Sequence, residues 1–189
     1  MSPATGQAGI GGELVPGLPC RFQTRRLDLR PLEDGDRPLY VALYTDAGVM
    51  RHVGAPLSPD AAGRSFERVQ QQMRQRPPQA WYWIACLRGC GREAGLLALM
   101  FDPGRESAEF GMMMPAWAQG SGYATEAVGA LVVHGLGGEG TPGAGACLQR
   151  LHTRHVAGHP AGPRVMAKLG FIAGPSGQRM SHWYLDRIG

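Results

Sequence analysis

The segment AWAQGSGYATEAVGALVV, residues 116–133, decides how this 189-residue chain folds. Its first half is poor in side chains, because Gly120, Ser121 and Gly122 follow one another. Its second half predicts an amphipathic helix, with an apolar stripe at spacings of three and four residues: Ala124, Ala127, Val128, Leu131 and Val132. A loop without bulky side chains therefore leads directly into the start of a helix.

A helix start behind such a loop is typical of an anion-binding site. The first backbone N–H groups of a helix have no internal acceptor, and the helix dipole adds partial positive charge there. Small residues allow a phosphate or pyrophosphate to approach these amides closely. No G-K-[ST] follows, which excludes a P-loop, and the preceding strand belongs to a run of hairpins, which argues against a dinucleotide-binding βαβ unit.

Length and composition indicate one globular domain. A hydrophobic content of 43% supports a full core, and no run approaches the roughly 20 apolar residues that span a bilayer. Residues 1–22 are rich in Gly and Pro and lack the features of a signal peptide, so we expect a flexible tail before a single domain over 23–189. Four cysteines without a secretory signal indicate reduced thiols in a cytoplasmic protein.

Charge and metal-ligand spacing exclude several other classes of protein. The net charge of +4 favours an anionic ligand but forms no continuous basic stripe, so a nucleic-acid-binding domain rests on charge alone and is disfavoured. The CLRGC segment at residues 86–90 has no second cysteine pair. His152 and His155 should face opposite sides of a strand, with no carboxylate or cysteine to complete a site. We therefore predict no metal.

The remaining periodicities predict the order of the elements. A strand over 25–32 is followed by two helices, the first capped by Asp36 and the second by Ser58 with Pro59 as its first residue. Three strands form an antiparallel meander over 80–87, 93–100 and 107–114. After the helix of the opening segment come a strand over 147–156, a helix ending at Gly170, and a last strand over 181–188. Because a helix joins strands 107–114 and 147–156, these two should run parallel.

Three segments together resemble a known family. QGSGYA, residues 119–124, resembles the Q/R-x-x-G-x-G/A signature of the GNAT superfamily of acyl-CoA-dependent N-acetyltransferases. TRRLDLRPLEDGD, residues 24–36, is similar to the start of the branch that acetylates ribosomal-protein alanines, the Rim-type branch. RVMAKLGF, residues 164–171, is similar to the last helix of that branch. The resemblance runs from Thr24 to the C-terminus.

The resemblance implies both the fold and the location of a ligand. It implies a mixed α/β (α+β) GNAT-like acyl-CoA N-acyltransferase fold, whose mostly antiparallel sheet is splayed between strands 4 and 5 and flanked by helices. Acetyl-CoA lies in the splay, and its pantetheine arm pairs with the backbone of Met112, Met113 and Met114. Its pyrophosphate sits on the backbone amides of Gln119, Gly120, Ser121, Gly122, Tyr123 and Ala124.

The resemblance also implies an activity. It implies direct transfer of an acetyl group from acetyl-CoA to a primary amine, on a protein N-terminus or a small molecule, by a monomer or homodimer away from membranes. The usual acid of the last helix is missing, since Met166 stands where many relatives have Tyr, and the Rim-type N-x-x-S becomes HPAG, residues 159–162. A non-catalytic acyl-CoA sensor or interaction module of the same fold is therefore the alternative.

Two residues are the candidate catalytic groups. Glu109 on the fourth strand precedes the expected thioester position and is the predicted base; a solvent-facing strand residue is the other interpretation. His159 takes the place of the Rim-type Asn, so we predict that it contacts the pantetheine arm, with protonation of the leaving thiolate as a second possible role. Glu126 lies in the first turn of the motif helix, where the dipole favours a carboxylate, and is interpreted as structural.

Overall fold

The structure, a computed structural model, describes residues 13–15, 18–137, 148–175, 177 and 180–188. The strands are β1 (Glu13–Val15), β2 (Leu18–Pro19), β3 (Phe22–Gln23), β4 (Leu27–Pro31), β5 (Ala80–Leu87), β6 (Glu93–Phe101), β7 (Ser107–Met113), β8 (Arg150–Val156), β9 (Ile172–Ala173) and β10 (Met180–Asp186). The helices are α1 (Arg37–Thr45), α2 (Ala47–Met50), α3 (Pro59–Arg74), α4 (Tyr123–Leu136) and α5 (Gly162–Lys168), with short 3-10 helices at Asp34–Asp36 and Ala116–Ala118.

Turn and capping residues set the ends of two helices as the sequence predicts. The Ser58 hydroxyl accepts a hydrogen bond from the Ala61 N–H at 3.2 Å, which begins α3. Gly170 has a φ of 79° after α5, and the Phe171 N–H donates back to the Met166 carbonyl at 3.0 Å. This left-handed ending turns the chain so that Phe171 packs into the core.

The prediction for Asp36 as a helix cap is wrong in its detail. Asp36 stands at the start of α1, but its side chain makes no capping bond there. Its buried carboxylate instead accepts two hydrogen bonds from the Arg30 guanidinium, each 2.7 Å, and one from the Glu33 N–H. A buried carboxylate is better satisfied by a two-pronged cation than by a single amide, because removal from water penalises the charged form.

One sheet of eight strands carries the fold, in the order β3-β4-β5-β6-β7-β8-β10-β9. Every pair is antiparallel except β7 with β8, which are parallel, as the connection through α4 predicts. The parallel pairing covers only residues 107–109 with 150–152, and beyond Glu109 and His152 the two strands have no paired residues. The splay between them and the predicted fold class are therefore confirmed.

The two faces of the sheet are covered by different helices. Trp83, fully buried, contacts Phe22, which in turn contacts His134 of α4. Trp81 packs beside Trp83 on the same face with ring centroids 6.4 Å apart, and both are buried in the core. Tyr82 points to the opposite face, where α1, α2 and α3 pack.

The packed part of the chain begins before residue 23, where we expected a flexible tail to end. Glu13–Val15 pairs with Leu18–Pro19, and Phe22 is buried. The Trp83 indole N–H donates to the Cys20 carbonyl at 2.9 Å, which fixes this segment on the sheet. Residues 1–12 and 138–147, which include Cys147 at the start of the predicted strand over 147–156, lie outside the described residues. None of the described helices is long and apolar enough to cross a bilayer.

Candidate functional site

A cavity of about 850 Å³ opens where β7 and β8 diverge. The end of β7, the loop before α4, the junction between β8 and α5, and the segment of α1 and α2 contribute its walls. A smaller cavity of about 270 Å³ lies between the same loop and α5, and the two cavities share Gly120, Ala124, Ala161 and Val165. Met114 and Pro160 also line both, so the two cavities adjoin each other between the loop and α5, and together they form the cleft at the splay.

The loop before α4 has free backbone amides beside this cleft: Gly120 and Ala124 line both cavities, and Gly122 and Tyr123 line the smaller one. Gly120 and Gly122 have φ values of 74° and 79°, which L side chains rarely adopt. Among the residues that the structure describes, no acceptor receives the N–H groups of Gly120–Ala124, and the first helical bond is from the Glu126 N–H to the Gly122 carbonyl. Five adjacent donors at the positive end of a 14-residue helix form an anion cradle.

Gln119 does not add its own amide to that cradle, although we expected it to. Its N–H donates to the Ala116 carbonyl at 3.2 Å inside the short 3-10 helix. Its side-chain amide donates to the Met114 carbonyl at 2.9 Å. Gln119 therefore ties the loop to the end of β7, so that the cradle and the strand end keep a fixed separation.

The end of β7 exposes a backbone edge to the splay. Met112 and Met113 pair with β6 on one side, and on the other side β8 has already moved away. Met113 and Met114 are buried and line the cavity, which supports the interpretation of these side chains as apolar wall. The unpaired edge is the surface on which an extended ligand could form strand-like hydrogen bonds.

Two cationic side chains beside the cradle were not predicted from the sequence as site residues. Arg164 and Lys168 lie four residues apart on α5 and line the smaller cavity together with Gly120, Gly122 and Tyr123. Their spacing on the last predicted helix was the available signal, but only the fold shows that this helix faces the loop. Both side chains are exposed, so they can reach a multiply charged anion at the mouth of the cleft.

Glu109 lines the larger cavity but is already paired. Both carboxylate oxygens accept hydrogen bonds from the Arg154 guanidinium, at 3.1 and 2.6 Å, and the Glu109 side chain is 22% exposed. The bond to Glu109 raises the pKa of Arg154. Glu109 is thus a half-buried member of a two-pronged ion pair rather than the solvent-facing strand residue of the alternative interpretation.

His159 lies at the junction of β8 and α5, with its ring in the cavity wall. Its Nδ1 accepts hydrogen bonds from the N–H groups of Ala161 and Gly162, both at 3.1 Å, so in the neutral ring the proton is on Nε2. Burial, followed by the proximity of His52 and His155, lowers the pKa of His159 to about 4. The ring is therefore neutral at neutral pH and can donate a hydrogen bond, but it is a poor source of a proton.

Glu126 has the structural role that the sequence indicates. Its carboxylate accepts hydrogen bonds from the Thr24 hydroxyl, the Arg26 N–H and the Arg26 Nε–H, each 2.6 Å long. Burial opposes the charge of Glu126, yet the hydrogen bonds from Thr24 and Arg26 outweigh it, and the pKa of Glu126 is lowered. These contacts join the first turn of α4 to the start of β4.

The histidines of β8 do not gather into a metal site. His152 contacts Asp102 at 3.0 Å, whereas His155 bonds to the Val156 carbonyl and contacts His159. In the described part of the chain, no group of three or more His, Cys, Asp or Glu side chains is arranged to hold a metal ion.

Apolar and phenolic side chains form the part of the cavity away from the loop. Tyr44 and Tyr82 stand there with Leu96, Ala98 and Met100. Burial, followed by neighbouring tyrosines, raises the pKa values of Tyr44 and Tyr82, so both phenols stay neutral. Trp117, by contrast, is exposed and stacks on Arg92 with the guanidinium carbon 3.6 Å from the ring centroid.

Comparison with known proteins identifies the family. A sequence profile described as the acetyltransferase (GNAT) domain matches residues 26–172, so the chain belongs to the GNAT acetyltransferase family. No curated protein matches the chain significantly.

Solved structures show the same fold at low sequence identity. A GNAT-family acetyltransferase from Bacillus anthracis has a TM-score of 0.72 and 16% identity, over 88% of this chain and 98% of its own. The acetyltransferase from Salmonella typhimurium that modifies the N-terminal serine of ribosomal protein L7/L12 has a TM-score of 0.71 and 15% identity, over 86% and 96%. The Vibrio cholerae spermidine N-acetyltransferase, in complex with CoA and spermine, has a TM-score of 0.70 and 18% identity, over 85% and 95%.

Proposed function

We propose that this chain transfers an acetyl group from acetyl-CoA to a primary amine, in the manner of the Rim-type branch. The observation that carries the proposal is the row of five amides, Gly120–Ala124, that have no acceptor among the described residues; four of the five residues line the two cavities. The structure of a related fold with CoA bound, the spermidine N-acetyltransferase, supports the choice of ligand. The cation pair Arg164 and Lys168 supports it further, because a pyrophosphate carries more charge than one helix start balances.

In this proposal each part of the cleft binds one part of the donor. The pyrophosphate accepts hydrogen bonds from the amides of Gly120, Ser121, Gly122, Tyr123 and Ala124. The pantetheine arm pairs with the unpaired backbone edge of Met112, Met113 and Met114, and Gln119 holds that edge at a fixed distance from the loop. The thioester then lies near Glu109 and His159, where the two cavity walls meet.

The reaction is a direct transfer in a ternary complex. The amine nitrogen attacks the thioester carbon, the C–N bond forms, and the C–S bond breaks as the CoA thiolate leaves. The proton lost by the amine passes to Glu109, directly or through one water, and the neutral His159 ring donates its Nε2–H hydrogen bond toward the thioester arm. Water supplies the proton that converts the thiolate to the thiol, because His159 is held neutral.

The acceptor that fits the cavity best carries one amine rather than several. Of the two carboxylates in the wall, Glu109 is paired with Arg154, and Asp46 accepts the Val49 N–H at 2.9 Å. Arg51 also lines the cavity, and no described carboxylate lies within ion-pair distance of it. The bond from Val49 does not neutralise Asp46, so the described wall has one carboxylate without a cationic partner. A polyamine would place its second cation against this apolar and partly basic wall with no further counter-charge. A protein N-terminus or a single small amine avoids that penalty.

One panel experiment tests the activity and the acceptor together. Thiol release from acetyl-CoA is measured with N-terminal peptides, single amino acids, spermidine and kanamycin. We expect turnover well above hydrolysis with a mono-amine and background rates with the two polycations. Binding of acetyl-CoA without turnover by any amine supports the acyl-CoA sensor. No binding at millimolar acetyl-CoA, measured by calorimetry, contradicts both functions.

Glu109→Gln tests the proposed base. We expect about a 100-fold fall in kcat, the usual contribution of a positioned base, and an unchanged affinity for acetyl-CoA. Arg154→Gln is the matched control, because it breaks the same ion pair and leaves the carboxylate in place. Equal losses in the two variants would show that the ion pair matters and that Glu109 has no catalytic role of its own.

The free thiols bear on the compartment in which the protein works. Cys86 and Cys90 are free thiols, and Cys90 is exposed, which fits a reducing compartment such as the cytoplasm. We propose a cytoplasmic monomer or homodimer. Size-exclusion chromatography with light scattering measures the assembly directly.

A further inference from the structure

Arg26 makes contacts that no part of the proposed reaction yet uses. Its backbone N–H and its Nε–H both bond to Glu126, and its Nη1–H donates to the Ser121 carbonyl at 3.0 Å. Its guanidinium carbon also lies 4.5 Å from the centre of the Tyr123 ring. The residue just before β4 therefore contacts the anion cradle at Ser121 and Tyr123, and the first turn of α4 at Glu126.

The bond to the Ser121 carbonyl controls the direction of an amide in the cradle. A trans peptide group is planar, so the carbonyl of Ser121 and the N–H of Gly122 point in opposite directions. With the carbonyl held on the Arg26 side, the Gly122 N–H points away from Arg26. Glycines on both sides of Ser121 have positive φ and are the residues that permit a peptide to rotate, so this peptide needs an external restraint.

The other contacts of Arg26 keep its guanidinium in place. The Glu126 carboxylate holds the Nε side of the Arg26 guanidinium. The same carboxylate accepts a hydrogen bond from the Thr24 hydroxyl at 2.6 Å. The Thr24 hydroxyl in turn accepts the Leu27 N–H at 2.9 Å. The Arg26 carbonyl accepts the Arg88 N–H at 2.8 Å, which attaches this turn to β5. The guanidinium therefore has a position set by the sheet, and it transmits that position to the loop.

We propose that Arg26 is a positioning residue that locks the Ser121–Gly122 peptide with its N–H toward the pyrophosphate. The inference rests on the proposed acetyl-CoA site, and it assigns to Arg26 a role in cofactor affinity without contact with the cofactor. Without Arg26 the peptide samples both orientations, and the orientation that turns the Ser121 carbonyl toward the phosphates repels them. The pantetheine arm and the reacting atoms lie elsewhere in the cleft, so the chemical step does not depend on Arg26.

Two acetyl donors separate this role from a general loss of structure. Acetyl-CoA has the pyrophosphate, whereas S-acetyl-pantetheine ends before it. For Arg26→Ala we expect KM for acetyl-CoA to rise about tenfold and kcat to stay unchanged. A rise of about tenfold is the effect expected when one charge-assisted hydrogen bond is lost. For S-acetyl-pantetheine we expect kcat/KM to stay within about twofold of the wild type, because this donor does not use the cradle.

Two further variants complete the test. Arg26→Lys keeps the charge but cannot hold Glu126 and the Ser121 carbonyl together, so its KM for acetyl-CoA should lie between those of the wild type and Arg26→Ala. Arg25→Ala removes the exposed neighbouring arginine and should change neither donor. An equal loss with both donors, or an unchanged KM for acetyl-CoA, overturns the inference. Failure of the wild type to bind acetyl-CoA would instead overturn the proposed function.

Discussion

Two helices begin at the same cleft, and their first turns are satisfied in opposite ways. At α5, the N–H groups of Ala161 and Gly162 donate to the His159 ring. At α4, the capping position is occupied by Gly122, which has no side chain, and the neighbouring amides have no acceptor among the described residues. The chain therefore closes one helix start with its own imidazole and leaves the other open.

The difference shows where the fold reserves room for a ligand. A side-chain cap stabilises a helix start by about 1 kcal/mol, and α3 uses Ser58 in this way. The start of α4 has no side-chain cap and lacks this stabilisation, although α4 is the longer of the two helices that begin at the cleft. An anionic ligand restores it, because phosphate oxygens accept the same hydrogen bonds that a cap would accept.

The largest effect is expected from a substitution that gives α4 a side-chain acceptor at its start, as His159 does for α5. In Ser121→Glu, a carboxylate can accept the free amides and also repel the pyrophosphate. We expect the affinity for acetyl-CoA to fall about 30-fold, which corresponds to about 2 kcal/mol. This is the size of the Coulomb repulsion between two like charges that solvent partly screens. Calorimetric titration of the variant gives the dissociation constant.

Ser121→Gln is the control for this substitution, since it has the same size without the charge. Its affinity should stay within about threefold of the wild type, because the neutral amide lacks the repulsion. Equal losses for Glu and Gln would show that crowding, not charge, excludes the ligand. A substitution of Gly122 would not separate the two effects, because its positive φ strains any side chain and a folding defect would also weaken binding.

A second way to break the contrast is to uncap α5. His159→Ala leaves two amides without an acceptor, which should lower the free energy of unfolding by about 1 kcal/mol. His159→Asn supplies a shorter oxygen acceptor and should recover most of that loss. Urea denaturation of the three proteins measures the differences.

The same pair of variants tests what His159 does for acetyl-CoA. We expect about a fivefold weaker affinity for His159→Ala and a proportionate loss of rate at low cofactor, as the loss of one hydrogen bond predicts. A large fall in kcat at saturating acetyl-CoA would instead assign to His159 the protonation of the thiolate. No change in affinity or rate would place the ring outside the site.

The smallest expected effect is a dependence of stability on pH. The pKa of His159 lies at about 4 in the folded protein, below its ordinary value of 6.5. Between these two values the unfolded chain binds a proton that the folded chain does not, so the stability of the fold falls as pH decreases from 6.5 to 4. The wild type should lose more stability over this window than His159→Asn, which cannot titrate. Identical losses would contradict the burial of the ring.

Much of the fold was predictable from local signals in the sequence. Pro59 after Ser58 marks the start of α3, and Gly170 marks the end of α5, because both depend on neighbours within a few residues. The parallel pairing of β7 with β8 follows from the connecting helix alone. The Gly-rich turn before α4 indicated an anion site for the same reason, since open amides at a helix start are a local property.

What could not be predicted depends on contacts between distant parts of the chain. Asp36 has the residue type of a helix cap, but the three-dimensional position of Arg30 and the burial of the carboxylate decide its partner. The pairing of Glu109 with Arg154 requires the register of two strands joined by a helix. The role proposed for Arg26 likewise depends on bringing the start of β4 against a loop almost a hundred residues away.

The distance in sequence between Arg26 and Glu126 has a consequence for how the protein matures. Their bonds join residues 100 positions apart, across the whole meander of β5, β6 and β7. A ribosome that adds 5 to 20 residues each second needs roughly 5 to 20 s to synthesise that interval. Loop closure of this length is costly until the intervening strands have paired. The contacts that hold the proposed cradle can therefore form only after β4 to β7 have been synthesised, so a ligand in the cradle can stabilise the domain but cannot guide the first pairing of these strands.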